Sequence, residues 1–403
     1  MNRSITTSIA AVALTVATPI LLAGCTSKAG AEGAIEVTST ESACDLASTE
    51  TQTGEVDFSV VNNGTKVTEF YVYGDNNRVL GEVENIGPGV TGNLTVEIVD
   101  PGTYTVACKP GMVGTGIRQE LTVSGEAMEK SQDPEDVNAA KVAYLDYVGN
   151  QLNTLVAQTQ TFVTNIKSGN LDAARDQFGL VRTPYERIEP VAESFADLDP
   201  AIDMRWDDTE DGSLAFTGFH RLERYLWPPQ ASDIGDDPGQ VAPADAAHAN
   251  ASDTKAAIDP IADELLANVT RLKDEVSKAD FEFETRSFVS GPQALIDEVA
   301  ATKVDGEEDR YSHADLYDFA ANVDGSETAI ATMQPIISAK SPELMDKITA
   351  QFAEVRDAVN QFQRGDGYVS YTEVSAEARK DLSNKIDALS ASLSQVPGIV
   401  LQQ

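Results

Sequence analysis

Histidine is nearly absent from this chain. The 403 residues contain His220, His248 and His313, and none falls in the first 219. A blue-copper centre needs two imidazoles beside a thiolate, so the N-terminal part of the chain cannot build one. Cysteine is as scarce, limited to Cys25, Cys44 and Cys108. Basic residues are few: 29 Lys and Arg stand against 65 Asp and Glu, a formal net charge of −36. Such a chain repels nucleic acid and anionic headgroups, which excludes a nucleic-acid partner. The acid excess attracts cations, and it also keeps an exported protein in solution. Beyond residue 24 no apolar run approaches the length of a membrane span. The sequence has no Gly-x-Ser-x-Gly, no Walker loop, no dinucleotide fingerprint and no His-Glu-x-x-His, and these absences remove the corresponding enzyme classes. It also lacks any Glu-x-x-His pair, which excludes a ferritin-like di-iron bundle.

The amino terminus reads as a targeting segment. Arg3 supplies a positive n-region, a weakly apolar run follows, and Leu22-Ala23-Gly24-Cys25 matches a bacterial lipobox. The expectation is a signal peptide over residues 1–24 and lipidation at Cys25. A small polar tether would follow over 25–34, holding the protein at the outer face of the cytoplasmic membrane. Cys44 and Cys108 then remain as an even pair in an exported domain, either a disulfide or two thiolate ligands.

Residues 35–124 carry strand-like runs at 56–61, 69–73, 94–98, 104–108 and 119–123, separated by turn signals such as Asn62-Asn63-Gly64 and Asp100-Pro101-Gly102. Short punctuated strands predict a small β-sandwich. Residues 125–137 are polar and read as a linker. From 138 to 403 the apolar period becomes helical. Val142, Leu145, Val148, Leu152, Leu155 and Val156 form one stripe that Gly169 ends, and further helical patterns start near Leu171, Leu214, Asp253, Gln293, Ser312, Ser326, Pro342 and Ser375. Residues 228–243 read as a loop. The fold class is therefore multidomain: a small β-sandwich followed by an all-α helical bundle domain.

Three constellations are candidates for metal chemistry, each with a plainer alternative: a hydrogen-bonded His–Glu pair, an exposed ion-pair ladder and an acidic loop. In Gly218-Phe219-His220-Arg221-Leu222-Glu223, His220 and Glu223 are three apart, so a helix presents both on one face to one ion. Around Arg182 and Tyr185, Glu186 and Glu189 repeat that spacing; two carboxylates inside a bundle need a shared cation, whereas on a surface they make an ion-pair ladder with Arg182 and Arg187. In Gly306-Glu307-Glu308-Asp309-Arg310-Tyr311-Ser312-His313-Ala314-Asp315, the acidic triplet offers further ligands. Ser312 and Asp315 have capping-box spacing there, which would give Asp315 and His313 a helix-start role. His248 sits in a polar Ala/Asn context and receives no role. In the β region, Cys108-Lys109-Pro110-Gly111-Met112 is similar to the loop that joins a Cys and a Met ligand in copper proteins. A second metal site there would have to draw on Cys44, Cys108, Met112, Glu69, Glu82 and Glu84.

Taken together, these runs resemble the EfeO-type family of iron-uptake lipoproteins over essentially the whole mature chain. The stretches at 82–89 and 102–112 are similar to its cupredoxin-like domain. Those at 217–223 and 306–316 are similar to its imelysin (M75) domain. The resemblance implies an imelysin fold with a metal site at His220 and Glu223, joined by Glu186, Glu189, Glu307, Glu308 and Asp309. It implies iron (Fe²⁺ or Fe³⁺) as cargo, with copper or zinc as competitors. It implies as partners a membrane iron permease (EfeU-like) and a haem peroxidase (EfeB-like). The rival readings are a metallopeptidase of the M75 class and a binding module without metal. One His and one Glu leave the ligand set of a catalytic zinc site incomplete.

Overall fold

The computed structural model describes residues 33–235, 239–279 and 281–401. The lipobox, Cys25 and most of the proposed tether lie outside the described residues.

The first unit is two β-sheets packed face to face. One has the order β2-β1-β4-β7, from β1 (Ile35–Ser39), β2 (Cys44–Leu46), β4 (Gly54–Asn62) and β7 (Thr91–Ile98). The other has the order β3-β9-β8-β5-β6, from β3 (Glu50–Gln52), β5 (Thr68–Tyr73), β6 (Val79–Ile86), β8 (Gly102–Pro110) and β9 (Ile117–Ser124). The register places Phe70 opposite Val83 and Cys108, and Tyr71 opposite Glu82 and Ala107. Because successive side chains in a strand point to opposite faces, Phe70, Val83 and Cys108 turn into the sandwich with Phe58, Val60 and Val106. Glu69, Tyr71, Glu82, Glu84 and Lys109 turn outward. β6 escapes the sequence pattern because Gly81, Glu82, Glu84 and Asn85 dilute its apolar content.

Cys44 and Cys108 are fully buried in this core and bonded to each other. This corrects the candidate sulfur-and-carboxylate site in two ways. The thiolates are consumed by the disulfide, and the sheet's alternation puts Cys108 on the face opposite to Glu69, Glu82 and Glu84.

The second unit is helical. α1 (Glu135–Ser168) runs beside α2 (Leu171–Glu186) and α7 (Lys255–Val276); α9 (Leu316–Lys340) packs on α2 and α8 (Thr285–Glu298), with α10 (Pro342–Asn360) and α11 (Ala376–Leu393) outside it. Short helices α3 (Glu189–Ala192), α4 (Asp199–Asp203), α5 (Gly218–Leu226), α6 (Pro243–Ser252) and α12 (Val396–Val400) fill the corners, and a hairpin of β10 (Gln363–Arg364) and β11 (Gly367–Tyr368) follows α10. The α1 core stripe is Tyr144, Val148, Leu152, Leu155, Phe162 and Ile166, packed with Phe178, Leu265, Val269 and Ile330. Val142, expected in that stripe, is half exposed at 52%. Gly169 ends α1 with φ +80°, a conformation that favours glycine. The patterns expected to start separately at Ser312 and Ser326 form one helix, α9. No helix among the described residues is long and apolar enough to cross a membrane.

The two units touch along a latch. The Val79 N–H donates to the Ser194 carbonyl at 3.1 Å, and the Arg78 guanidinium lies over Phe195 and Phe281, 4.2 and 4.8 Å from their centroids. Gly114 N–H donates to Asp208 O at 3.1 Å.

The disulfide closes a sequence separation of 64 residues, and loop-closure entropy then amounts to about 4 kcal/mol. Replacing Cys44 and Cys108 with Ala should lower the unfolding free energy of the β-unit by that order, read as a fall in its urea midpoint by near-UV dichroism. The far-UV transition of the helical unit should move much less.

Candidate metal centre

Gly218 opens α5 at φ +79°, and a Cβ there would run into the carbonyl oxygen of Ile202. The absence of a side chain therefore lets α5 sit directly against α4, next to Asp203. Two residues on, His220 is 1% exposed, and Glu223, one helical turn later, is fully buried. His220 Nδ1 lies 3.0 Å from Glu223 Oε2. The other Glu223 oxygen, Oε1, accepts from the backbone N–H groups of Tyr311 and Ser312 at 3.1 and 2.8 Å. The helix thus delivers both residues to one face, as their spacing predicts.

The loop 304–315 supplies the opposite wall. Its entry is a π-helical turn, Val299–Lys303, that continues α8; such turns re-aim side chains, and here the turn ends on the fully buried Lys303. Asp309 lies 3.7 Å from His220 Nδ1, and Glu308 lies 3.4 Å from His220 Nε2. Asp203, from the end of α4, is 3.6 Å from Nε2.

In the middle of these carboxylates stands Arg182 of α2, with no exposed surface. Its guanidinium pairs with Glu186 and Asp203, with Glu308 at 3.1 Å and with Asp318 at 3.1 Å. Lys303 reaches Glu298 at 2.9 Å and Glu186 at 3.3 Å, and Arg205 reaches Glu308 at 3.4 Å.

Even so, the charges do not balance. Glu186, Asp203, Glu223, Glu308, Asp309, Asp315 and Asp318 converge here, against Arg182, Lys303, Arg205 and the imidazole. Both oxygens of Asp309, Asp315 Oδ2, Asp318 Oδ1 and His220 Nε2 are buried without a hydrogen-bond partner. Buried acceptors left in that state are costly, and a bound cation is one of the few groups that satisfies them all. One ligand atom each from His220, Glu223 and Asp309 lies within 4.8 Å of the others, and the same holds for Asp203, His220 and Glu308 and for Glu186, Glu308 and Asp318.

The protonation pattern follows. Burial, with the charges of Asp318 and Glu223, raises Asp309 well above the usual carboxylate range. Burial raises Asp315 to about 7 against the hydrogen bonds it accepts. Glu308 goes the other way: burial opposes ionisation, but Lys303, His220 and Arg205 outweigh it and hold Glu308 well below the usual range. For His220, burial and the Arg182 charge pull downward, and the Glu223 hydrogen bond with the Glu308 and Asp203 carboxylates overcomes them, leaving the imidazole at about 9.

Of the residues singled out in the sequence, His220, Glu223, Glu186, Glu308 and Asp309 converge, whereas Glu189 and Glu307 do not. Glu186 ends α2 and Glu189 begins α3, with Pro190 behind it, so the two do not share a helix. Glu189 instead groups with Glu193 and Glu298, and Asn322 Nδ2 donates to both Glu189 (3.0 Å) and Glu186 (3.3 Å). The ion-pair ladder is absent: Arg182 is buried, and Arg187 pairs with Asp324 at 3.0 Å. Glu307 is partly exposed and lies 4.0 Å from Arg310. The capping box does not form either. Asp315 precedes the first turn of α9 and its Oδ1 accepts from Asp309 N–H at 3.3 Å, while Ser312 Oγ has no partner. Asp203, Asp318 and Lys303 were missed, because each arrives from a different element with no local motif. His248 is exposed and touches Arg224, apart from the cluster.

Glu69, Glu82, Glu84, Met112 and Lys109 line a cleft of about 1670 Å³ between the two units, whose helical wall includes Asp199, Asp203, Arg205, Asp208, Glu307 and Glu308. Burial and repulsion from Glu69 lift Glu82 to about 8.

This arrangement can be set beside known proteins. The imelysin model (peptidase family M75) matches residues 140–396, and the cupredoxin-like domain model matches 8–123. A protein named iron uptake system component EfeO, from Escherichia coli, is 34% identical over 371 residues, 91% of each chain. Its namesake from Shigella flexneri is 33% identical over the same share. The chain belongs to the EfeO family of iron-uptake components. Within the family's two-part plan, the cluster at His220 lies wholly in the imelysin domain and the disulfide in the cupredoxin-like domain. The solved structure of dithionite-reduced auracyanin from Roseiflexus castenholzii covers 24% of this chain and all of its own at 19% identity, with a TM-score of 0.19; a likeness of that size carries no argument.

Two expectations follow. Asp315 at about 7 and His220 at about 9 lie above their unfolded values, so the folded chain holds more protons than the unfolded one between about pH 4 and 9, and stability falls as pH rises. The Tm of metal-free protein should therefore drop from pH 5 to pH 9 by scanning calorimetry, and added ferrous iron should raise it most at the alkaline end. Separately, Gly218→Ala should cost about 1–3 kcal/mol of stability and weaken iron binding, seen by denaturation and calorimetric titration.

Proposed function

We propose that this protein captures iron outside the cytoplasmic membrane in the pocket of His220, Glu223 and Asp309, and passes it to a membrane permease. The observation that carries the reading is the set of buried, unpartnered oxygens on Asp309, Asp315 and Asp318 around a buried imidazole. One nitrogen and several carboxylate oxygens suit iron better than copper(I), which selects sulfur, and both core thiols are in a disulfide. Zinc remains a competitor by the same ligand chemistry.

The reading is of a carrier rather than a hydrolase. His220 and Glu223 are 1% and 0% exposed, which leaves no room for a peptide bond beside them. A lipid at Cys25 would keep the carrier at the membrane, near a permease and a haem peroxidase; the lipobox supports the anchor, and the similarity to a component of an iron uptake system supports the company of other uptake proteins. The acid excess would concentrate cations around the molecule, an effect that salt weakens.

The test is an anoxic titration of residues 26–403 with ferrous iron, beside the double variant His220→Ala/Glu223→Ala, repeated with ferric iron held by a weak chelator. Tight binding by the parent should fall at least about 100-fold in the variant, as for loss of two ligands. Equal binding by both proteins would move the site away from this pocket.

A further inference from the structure

His220 faces two carboxylate pockets, one at each ring nitrogen. The deep pocket, at Nδ1, is the one assigned above. On the Nε2 side stand Asp203 at 3.6 Å and Glu308 at 3.4 Å. Nε2 makes no hydrogen bond, although the side chain is 1% exposed. An imidazole nitrogen in ion-pair range of two buried carboxylates, with a hydrogen bond to neither, offers one nitrogen and two oxygens to a cation that displaces its proton.

This second pocket differs from the deep one in two respects. Asp203 and Glu308 both line the cleft between the two units, whereas His220, Glu223 and Asp309 do not. Its carboxylates are also already neutralised from within: Arg182 pairs with both Asp203 and Glu308, and Arg205, itself on the cleft wall, holds the outer oxygen of Glu308 at 3.4 Å. The deep pocket has no such resident donor on Asp309: Arg182 Nε, which donates to Asp318, and His220 Nδ1 each lie 3.7 Å from it, and neither hydrogen-bonds it.

We propose that Asp203, Glu308 and His220 Nε2 form an entry site, where a divalent cation arriving through the cleft is held before it crosses the imidazole edge to Glu223 and Asp309. Arg182 is the placeholder in this step. It satisfies Asp203 and Glu308 while the entry site is empty, gives way to the incoming ion, and returns when that ion has moved inward. Competition from a tethered guanidinium keeps the entry site weak, so ions pass through it instead of staying. Glu69, Glu82 and Glu84 on the opposite wall of the cleft add to the negative potential that funnels cations toward it. This inference rests on the binding reading given above.

The test uses cobalt(II) as a coloured divalent probe on residues 26–403, with equilibrium titration for affinity and stopped-flow absorbance for loading. Asp203→Asn and Glu308→Gln should each keep one tightly bound cobalt, while loading slows about tenfold or more, the scale set by lost electrostatic capture. Glu223→Gln should lose the tight equivalent and keep a fast, weak phase. Circular dichroism checks that each variant folds, and two entry-site variants guard against the failure of either. Wild-type loading rates in both would overturn the proposal and leave the binding reading intact. So would loss of tight binding in both as complete as in Glu223→Gln, because the two pockets would then be one. If the wild-type protein binds no cobalt and no iron, the binding reading fails and the entry site with it.

Discussion

A guanidinium with no access to water holds the helical unit together at its centre. Arg182 leaves α2 and touches carboxylates from α2 itself, α4, the loop 304–315 and α9. Moving one such charge out of water costs several kcal/mol even after relaxation, and only near-complete pairing recovers it. Each element that brings a carboxylate to Arg182 is therefore fixed relative to the others, and the same carboxylates surround His220. The cluster is over-supplied with acid, and the surplus shows as buried carboxylate oxygens that no cation or donor reaches by hydrogen bond. Removing the arginine alone would strand several acids, so the pocket and the fold share one charge balance.

Local backbone devices place the remaining groups. Gly218 lets α5 approach α4, so that His220 and Asp203 meet. The π-helical turn after α8 sets Lys303 between Glu186 and Glu298. Backbone donors at Tyr311 and Ser312 pin one oxygen of Glu223 and leave the other for the imidazole. None of these devices is apolar packing, yet all depend on it: α1, α2, α7 and α9 form the rigid frame through Leu155, Phe162, Phe178, Leu265 and Phe319. Sites held on such a frame keep their geometry, and this one gathers buried oxygens of Asp309, Asp315 and Asp318 that have no hydrogen-bond partner.

Much of this was legible in the sequence, and the failures have physical reasons. The change of period near residue 135 separates strands from helices, because a pleat repeats every two residues and a helix every 3.6. His220 and Glu223 are legible because their spacing fixes a shared helical face. Glu186, Glu308 and Asp309 are legible as acids in otherwise apolar or motif-like surroundings. Asp203 and Asp318 are not, since each meets the site only through tertiary packing. The sulfur site failed on parity: Cys108 and Lys109 are neighbours in sequence and point to opposite faces of one sheet. Glu186 and Glu189 failed on continuity, because α2 ends at Glu186 and a new helix starts at Glu189, after a break at Arg187 and Ile188. Ser312 and Asp315 had the spacing of a cap, but the acids around Asp309 drew Asp315 into their own network.

The Cys44–Cys108 bond has a mechanical side. β1 lies parallel to β4, paired from Ile35↔Phe58 to Ser39↔Asn62. A pull on the chain from ahead of Ile35, along the strand axis, loads this ladder in shear, so its hydrogen bonds share the force instead of opening one by one. Any slack that passes β1 reaches Cys44, which is bolted to the middle of the other sheet through Cys108. Force entering at the amino terminus is thus shared between the β1–β4 ladder and the disulfide before it reaches the rest of the β-unit.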